Sequence, residues 1–208
     1  MKVVALRSRS KAKPRRRAPE IIDAAARVFA ERGFHGASTQ DIADVLGIRQ
    51  ASLYYYFASK EAALELVCLR GVEGFFESAT AIAMGTGNCA NRLSRLIDSH
   101  LSPLVDRADY VRVFLNERQH LPAESRRRIG KWSRGLERIF EDVLKEGVRK
   151  GEFRSDIDTR LAALAILGMA NWVAGWYGRE DVTIVRISAE FGRLAVEGLR
   201  KTSAKRKR

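Results

Sequence analysis

Apolar residues recur with the period of an α-helix along nearly the whole chain, and this spacing restricts the fold more than any other feature. In the first such segment Ile21, Ala25, Val28 and Phe29 fall on one helical face. No stretch alternates between apolar and polar residues as a half-buried strand does, and no internal repeat is found. The sequence therefore predicts an all-α protein of about nine helices.

Glycines and capping residues indicate where the predicted helices begin and end. Gly33 follows the first helix, as glycine often does at a helix C-terminus. Ser38 or Thr39 caps a short second helix that Gly47 ends. The face of this second helix that we expect to be buried consists of Ile42, Val45 and Leu46. The predicted helices cover residues 19–33, 39–46, 50–57, 59–84, 91–105, 109–118, 122–150, 157–177 and 182–201.

Helix length divides the chain into two predicted domains. Three short helices within residues 18–64 form a small helix-turn-helix module, and the longer helices of residues 65–201 form a larger domain. Residues 1–17 and 202–208 are predicted to flank them as a basic arm and a basic tail.

Basic residues are concentrated at the two ends. The net charge is +13 from 38 basic and 25 acidic residues, but residues 1–17 hold eight of the basic ones and residues 200–208 hold six, without an acid. The other 24 basic residues nearly balance the acids. Such ends attract a polyanion because neutralising phosphates releases counterions. Charge alone leaves DNA, RNA, an acidic membrane and a merely solubilising tail open.

Several function classes find no support in the residues. Cys68 and Cys89 show no metal-ligand spacing with the histidines and no disulfide framework, which predicts a cytoplasmic protein. Residues 161–178 carry no charge, but Asn171 and three glycines favour a buried helix over a membrane span. No nucleophile with a neighbouring base and no phosphate-binding glycine loop occurs. We therefore expect neither an enzyme nor a cofactor.

Residues 39–60, TQDIADVLGIRQASLYYYFASK, carry the clearest functional motif. They form two helices joined by a glycine turn, and Lys60 begins the next helix beside unpaired backbone N–H groups. Tyrosine hydroxyls can donate to phosphates, and the rings can contact thymine methyl groups. The alternative is that the aromatic residues fill the module's core, as we expect of Leu53 and Phe57; for Tyr54 both possibilities stay open. The polar and aromatic residues expected to be exposed are Gln50, Ser52, Tyr54, Tyr55 and Tyr56.

Residues 21–64, IIDAAARVFAERGFHGASTQDIADVLGIRQASLYYYFASKEAAL, resemble the DNA-binding domain of TetR-family regulators. The resemblance rests on the DIA…LG turn, the LY-aromatic-aromatic-F run and the SKE start of the following helix. It implies a dimeric repressor that binds operator DNA and that a small hydrophobic effector releases. Gln40 departs from the arginine that some members carry, so base preference is not implied.

The same resemblance implies a role for each matching residue. Thr39 and Gln40 would touch the DNA backbone or base edges, Gln50 and Ser52 would read the major groove, Tyr54 and Tyr55 would contact DNA, and Tyr56 and Lys60 would hold phosphates. Residues 18–64 contain only four basic residues against six acids. We therefore expect Arg15, Arg16 and Arg17 to supply phosphate neutralisation, as an arm in the adjacent minor groove.

In this family the larger domain dimerises and encloses an effector pocket. The apolar positions of residues 161–178 are too many for one face, and those of the last helix add to them. Together the two helices would form a four-helix dimer interface, as the resemblance implies. The contributing residues of the last helix are Val185, Phe191, Leu194, Ala195 and Leu199.

Two aromatic pairs and a basic stripe are candidates for effector binding. Each pair is four residues apart on one helix, and the stripe has helical spacing. The alternatives are plain core residues for the pairs and a solvated face for the stripe. The candidates are Tyr110 with Phe114, Trp172 with Trp176, and Arg127, Lys131 and Arg134, followed by Arg138.

The segments NERQHLPAESRRRI and GMANWVAGWY resemble the ligand domain of TetR-type regulators of fatty-acid and steroid catabolism. These regulators respond to acyl-CoA thioesters. The resemblance implies an apolar pocket for the acyl chain and an arginine-rich rim for the nucleotide phosphates. An unspecified hydrophobic effector is the alternative.

One other function class fits part of the chain. A helical lipid or acyl carrier with basic ends would explain the apolar body and the charge, but not the polar and aromatic surface of residues 50–60. An activator or a ligand-independent repressor would have the same fold, so the sign of regulation stays open.

Overall fold

The computed structural model describes residues 17–201, in which nine α-helices and three short 3-10 helices account for all regular structure. No β-strand forms in this range, which confirms the all-α prediction. Arg15, Arg16 and the predicted tail of residues 202–208 lie outside the described residues. The α-helices are α1 (Ala18–Gly36), α2 (Thr39–Leu46), α3 (Lys60–Val72), α4 (Phe75–Met84), α5 (Cys89–Leu101), α6 (Ala108–Asn116), α7 (Ala123–Arg149), α8 (Thr159–Trp176) and α9 (Ile184–Leu199).

Two predicted helices differ in detail. The single helix predicted over residues 59–84 is wrong, because the chain leaves the helical conformation at Glu73 and Gly74 and resumes as α4. Gly74 has a φ of 79°, a left-handed conformation that glycine adopts without a steric penalty. The third predicted helix is a 3-10 helix over Gln50–Tyr55. Val45, expected to be buried on α2, is 49% exposed, and the neighbouring Ala43 is buried instead.

The buried side chains form two clusters. One belongs to the N-terminal helices, but it also includes Tyr110 and Val113 of α6, Leu121, and Ile129 of α7. The other is built from α4, α5, α7, α8 and α9. Helix α6 therefore contributes to the core of the N-terminal module while packing against α8 on its other side. Any movement of α6 acts on both parts of the molecule.

A buried charge joins the helices of the C-terminal core. The Arg92 side chain of α5 is only 6% exposed and pairs with Glu146 of α7, with Nη2 2.8 Å from Oε1. Its Nη1 also donates to the Ala83 carbonyl at 2.6 Å. These bonds compensate part of the cost of removing the guanidinium from water.

None of the helices within residues 17–201 combines the length and apolar character that a membrane crossing requires.

Candidate nucleic-acid interface and internal cavity

The start and end of α2 are fixed by local hydrogen bonds. Ser38 caps the helix, since its Oγ accepts from the Asp41 N–H at 3.1 Å while the Asp41 carboxylate accepts from the Ser38 N–H at 2.8 Å. The Ser38 hydroxyl also donates to the Asp41 carboxylate at 2.6 Å. This bond, together with the bond from the Ser38 N–H and the nearby charge of Arg32, lowers the pKa of Asp41. Gly47 ends the helix with a φ of 61°, and its N–H donates to the Ala43 and Asp44 carbonyls. The turn therefore holds the following 3-10 helix at a defined angle to α2.

The 3-10 helix turns its aromatic residues in two directions. Leu53 and Phe57 are buried against the module's core. Tyr54 is 55% exposed and Tyr55 is 83% exposed, so neither ring fills the core. Tyr56 is half-buried and packs partly against the core, with its ring centroid 6.5 Å from that of Tyr55. Two of the three tyrosines thus present phenol rings to the surface.

Polar residues of the two helices are ordered by hydrogen bonds. Gln50 Nε2 donates to Thr39 Oγ1 at 2.6 Å, which ties the start of the 3-10 helix to the start of α2. Gln40 donates to the Asp44 carboxylate at 2.6 Å, within α2. Ser52 is exposed beside the tyrosines. The structure thus gathers the polar residues predicted from the motif on one surface.

A shallow depression lies where the N-termini of α2 and α3 meet. Thr39, Tyr54, Ser59 and Lys60 contribute to its lining. Both helix starts direct unpaired N–H groups and the positive end of a helix dipole toward it. Lys60 Nζ donates to the Phe34 and Ala37 carbonyls at 2.7 and 2.8 Å, which leaves one of its three donors for a ligand.

Two exposed arginines belong to the same N-terminal module. Arg49 is exposed immediately before the 3-10 helix, although the motif did not mark it as a candidate. Its charge and its place beside Gln50 were the available signal. Arg17, the described residue of the predicted basic arm, is exposed at the start of α1.

A cavity of about 240 Å³ lies inside the C-terminal domain. Its wall is mostly apolar and comes from α3, α4, α5, α6, α7 and α8. The apolar side chains include Phe75, Phe76, Leu104, Phe114, Leu115, Trp132, Leu136 and Leu167.

Two polar pairs and Glu137, whose carboxylate accepts from Arg160, interrupt the apolar wall. His100 Nε2 lies 2.8 Å from Asn171 Oδ1, and burial lowers the pKa of His100. Arg118 Nη1 donates to Ser133 Oγ at 3.1 Å, and its guanidinium lies 4.9 Å from the ring centroid of Phe114. Both pairs line the cavity. The arrangement suits an elongated apolar ligand with a polar group.

The residues predicted to bind an effector are not brought together. Of the aromatic candidates only Phe114 lines the cavity. Tyr110 instead donates to the Asp23 carboxylate of α1, Trp172 is 74% exposed, and Trp176 packs partly against the C-terminal core. The stripe of Arg127, Lys131, Arg134 and Arg138 is exposed along α7.

One face of α8 is apolar and uncovered within the single chain. Leu161 is 63% exposed, Leu164 40% and Trp172 74%, and the glycines between and beyond them complete a face without charges. On α9, Val185 and Leu194 are also exposed, whereas Leu199 is buried. A face of this kind favours association with another protein surface.

Clusters of three or more metal-ligating side chains are absent from the described part of the chain.

Both parts of the chain match families of known regulators. Residues 21–67 match the family described as bacterial regulatory proteins, tetR family. Residues 86–199 match the family described as tetracyclin repressor-like, C-terminal domain. The two matches together cover most of the chain, with residues 68–85 between them.

Individual relatives agree with these matches. The HTH-type transcriptional repressor KstR2 of Rhodococcus jostii (strain RHA1) is 30% identical over 88% of this chain and 91% of its own length. The fatty acid metabolism regulator protein of Bacillus subtilis (strain 168) is 28% identical over 86% of this chain and 94% of its own. The crystal structure of AibR in complex with isovaleryl coenzyme A and operator DNA has a TM-score of 0.78 over 86% of this chain and 97% of that one. At 24% identity, this last likeness concerns the fold.

Proposed function

The chain belongs to the TetR family of DNA-binding transcriptional regulators, and on that premise we propose how it binds its operator and what releases it. The protein is a repressor that binds operator DNA as a homodimer. A hydrophobic acyl effector enters the cavity of the C-terminal domain and favours a conformation that does not bind DNA. This proposal rests mainly on one observation. The same chain carries exposed tyrosines on two helices joined by a glycine turn and a mostly apolar cavity in its C-terminal domain.

The DNA-binding surface is formed by the polar and aromatic residues around the 3-10 helix. Gln50 and Ser52 read base edges in the major groove, and Tyr54 and Tyr55 contact the sugar-phosphate backbone and thymine methyl groups. Thr39, Gln40, Tyr56 and Lys60 contact phosphates around the depression between α2 and α3, to which we add Arg49. Arg15, Arg16 and Arg17 reach the adjacent minor groove.

The effector is an acyl compound, and acyl-CoA is the proposed form. The cavity wall is mostly apolar with a few polar side chains, among them Arg118 and Ser133, as an acyl chain with a carbonyl group requires. Among the similar proteins, one regulates fatty acid metabolism and another was crystallised with isovaleryl coenzyme A. Arg127, Lys131 and Arg134 are exposed on α7 next to the cavity-lining Trp132 and Ser133, and we assign them to the coenzyme A phosphates.

Dimerisation uses the uncovered face of α8 with the exposed apolar residues of α9. Regulators of this family dimerise, and a two-fold pairing of α8 and α9 would bury Leu161 and Trp172. A rigid dimer body also places two DNA-binding modules on successive major grooves, about 34 Å apart.

A mobility-shift assay on the DNA flanking the protein's own gene tests the proposal. Duplex is titrated at fixed, stated salt, because phosphate contacts make binding salt-dependent. Decanoyl-CoA is then added to the complex, with free coenzyme A as control. A discrete retarded band that decanoyl-CoA removes is the expected result.

Two other results would contradict part of the proposed function. A discrete band that no acyl-CoA affects would support the operator-binding surface and overturn the acyl effector. Smearing that moderate salt abolishes, together with decanoyl-CoA binding, would favour a lipid or acyl carrier.

A further inference from the structure

The turn that follows α6 lies between the cavity and the DNA-binding module. Two consecutive residues of this turn point to different partners. Arg118 lines the cavity, whereas Glu117 contacts the end of α1. The 3-10 helix Arg118–His120 then leads into α7. A ligand that shifts the backbone at Arg118 therefore also shifts Glu117, because one peptide bond separates them.

Arg118 is a cation in a mostly apolar wall. Its guanidinium packs on Phe114 and donates to the Ser133 hydroxyl. Within residues 17–201, no carboxylate forms an ion pair with it. A guanidinium carries five N–H donors in a planar fork that suits an oxygen acceptor pair, and a charge at a partly buried site gains most from such a partner. The cavity thus offers an anchor for an acyl oxygen.

Glu117 holds the end of α1. Its Oε2 accepts from the Phe34 N–H at 2.8 Å. This N–H needs an acceptor outside its helix because the backbone departs from helical geometry at Gly33, where φ is 67° and ψ 168°. His120 stacks on the Phe34 ring, with centroids 5.4 Å apart and planes at 12°. The same turn therefore contacts Phe34 through both its backbone N–H and its ring.

Phe34 leads directly to the DNA-binding surface. Its carbonyl accepts from Lys60, whose ammonium group also lies 4.4 Å from the Phe34 ring centroid. Lys60 in turn lines the depression between the starts of α2 and α3. A continuous series of contacts thus runs from Ser133 in the cavity to the proposed phosphate site.

We propose that Arg118 anchors the acyl oxygen of the effector and that Glu117 transmits its displacement to the DNA-binding module. This inference rests on the proposed function and names the chemistry of its effector: an apolar chain ending in a carbonyl oxygen, whether of a carboxylate or of a thioester. When that oxygen replaces Ser133 as the acceptor for Arg118, the turn shifts. The hydrogen bond between Glu117 and the Phe34 N–H then either breaks or moves Phe34 with the turn. In both cases the module leaves its DNA-binding orientation.

The anchor is tested by calorimetric titration of the wild type and of Arg118→Met with decanoate, decanoyl-CoA and decanol. Arg118→Met should lose about tenfold or more in affinity for the acyl probes, because a charge-assisted hydrogen bond is lost. Decanol lacks the acyl oxygen and should lose much less. A loss for decanoate alone assigns a carboxylate, and a loss for decanoyl-CoA alone assigns a thioester. Arg149→Met, which removes an exposed arginine at the far end of α7, is the matched control.

Equal acyl affinities of the wild type and Arg118→Met would overturn the anchor. Arg118→Lys, which keeps the charge in place, covers the case in which Arg118→Met does not fold. The affinity of Arg118→Lys for the acyl probes should lie between that of the wild type and that expected for Arg118→Met. A wild type that binds no acyl probe would instead refute the acyl effector of the proposed function, and the anchor with it.

The coupling residue is tested by measuring decanoyl-CoA affinity with and without saturating operator duplex. In the wild type the two dissociation constants should differ by about fivefold or more, the usual range of a coupled pair of sites. In Glu117→Ala the ratio should fall to within about twofold of one, while affinity without DNA changes little. Glu117→Gln keeps an oxygen acceptor for the Phe34 N–H and should retain most of the ratio. Glu124→Ala removes an exposed carboxylate and should behave as wild type.

A wild-type ratio in Glu117→Ala would overturn the coupling role. A loss of decanoyl-CoA affinity without DNA would also overturn it, since Glu117 would then support the cavity itself. If both the anchor test and the coupling test fail but decanoyl-CoA still removes the wild type from DNA, the proposed function stands and only this inference is overturned.

Discussion

His100 is a titratable side chain beside an apolar cavity, and its burial lowers its pKa. The unfolded chain therefore binds a proton at a higher pH than the folded one. Above the pKa of His100 in the unfolded chain, about 6.5, the imidazole is neutral in both states and does not oppose folding. As the pH drops below that value, the unfolded chain takes up the proton first and the free energy of unfolding falls. The slope that one such group adds is at most about 1.4 kcal/mol per pH unit.

We expect His100→Gln to weaken this pH dependence. Glutamine can still hydrogen-bond Asn171 but does not titrate. Urea unfolding followed by circular dichroism, at about pH 7.5 and about pH 5.5, measures the difference for each protein. The wild type should lose more stability than the variant between the two conditions. An equal loss in both proteins would show that His100 is not responsible.

For single residues, helical spacing predicted which side chains share a helix face but not which part of the molecule that face packs against. Tyr110 and Phe114 do lie four apart on α6, yet Tyr110 bonds to Asp23 in the N-terminal module while Phe114 lines the cavity. Helix α6 lies between two cores, and this position depends on contacts distant in sequence. His100 was missed as a cavity residue for the same reason, since a single polar residue in an amphipathic helix carries no local signal. Arg118 lies in the segment that resembles the ligand domain, but its position in the cavity wall depends on the packing of the turn after α6.

At the element scale, the close packing of α7 against the chain that follows it depends on Gly147. A Cβ at this position would overlap the buried Phe153 ring. Alanine normally stabilises the interior of a helix relative to glycine by about 0.5–1 kcal/mol. Overpacking a buried site costs about 1–3 kcal/mol and should outweigh that gain.

Gly147→Ala should therefore lower the free energy of unfolding by about 1–2 kcal/mol. Gly130→Ala is the matched control on the same helix, because a Cβ there meets only the flexible guanidinium of Arg134, at 3.3 Å. Denaturant unfolding of both variants checks the prediction. If Gly147→Ala is as stable as Gly130→Ala, the described packing is incorrect.

The positions of most elements could be predicted because apolar period, caps and glycines act locally. Ser38 and Gly47 bound α2 as expected, with the capping box and left-handed glycine that such residues form. The break at Gly74 was missed because the apolar period of α3 continues into α4 without a proline. A left-handed glycine is required there only because the two helices pack on different neighbours, which is tertiary information.

At the scale of the whole molecule, the proposed dimer pairs the uncovered face of α8 with that of a second copy of the chain. Trp172→Glu introduces a charge in the centre of this face and should turn the dimer into a monomer at micromolar concentration. Operator affinity should fall with it, because each module alone makes half of the phosphate contacts. Sedimentation velocity measures the first effect, and circular dichroism checks that the helices persist.

Asn91→Glu, which adds the same charge at the exposed start of α5, should remain dimeric. A dimeric Trp172→Glu protein would place the interface elsewhere.

Selection from a pool of random duplexes shows whether the surface around Tyr55 reads a two-fold operator. The wild-type protein should enrich a palindromic sequence whose half-sites are centred about one helical turn, or a multiple of it, apart. Tyr55 is 83% exposed, so Tyr55→Ala should fold normally but enrich no sequence above the input pool, and Tyr55→Phe should keep the ring contacts and enrich the same palindrome more weakly. Enrichment of an identical palindrome by the wild type and Tyr55→Ala would contradict the assigned surface. Absence of any enriched sequence with the wild type would contradict operator binding itself.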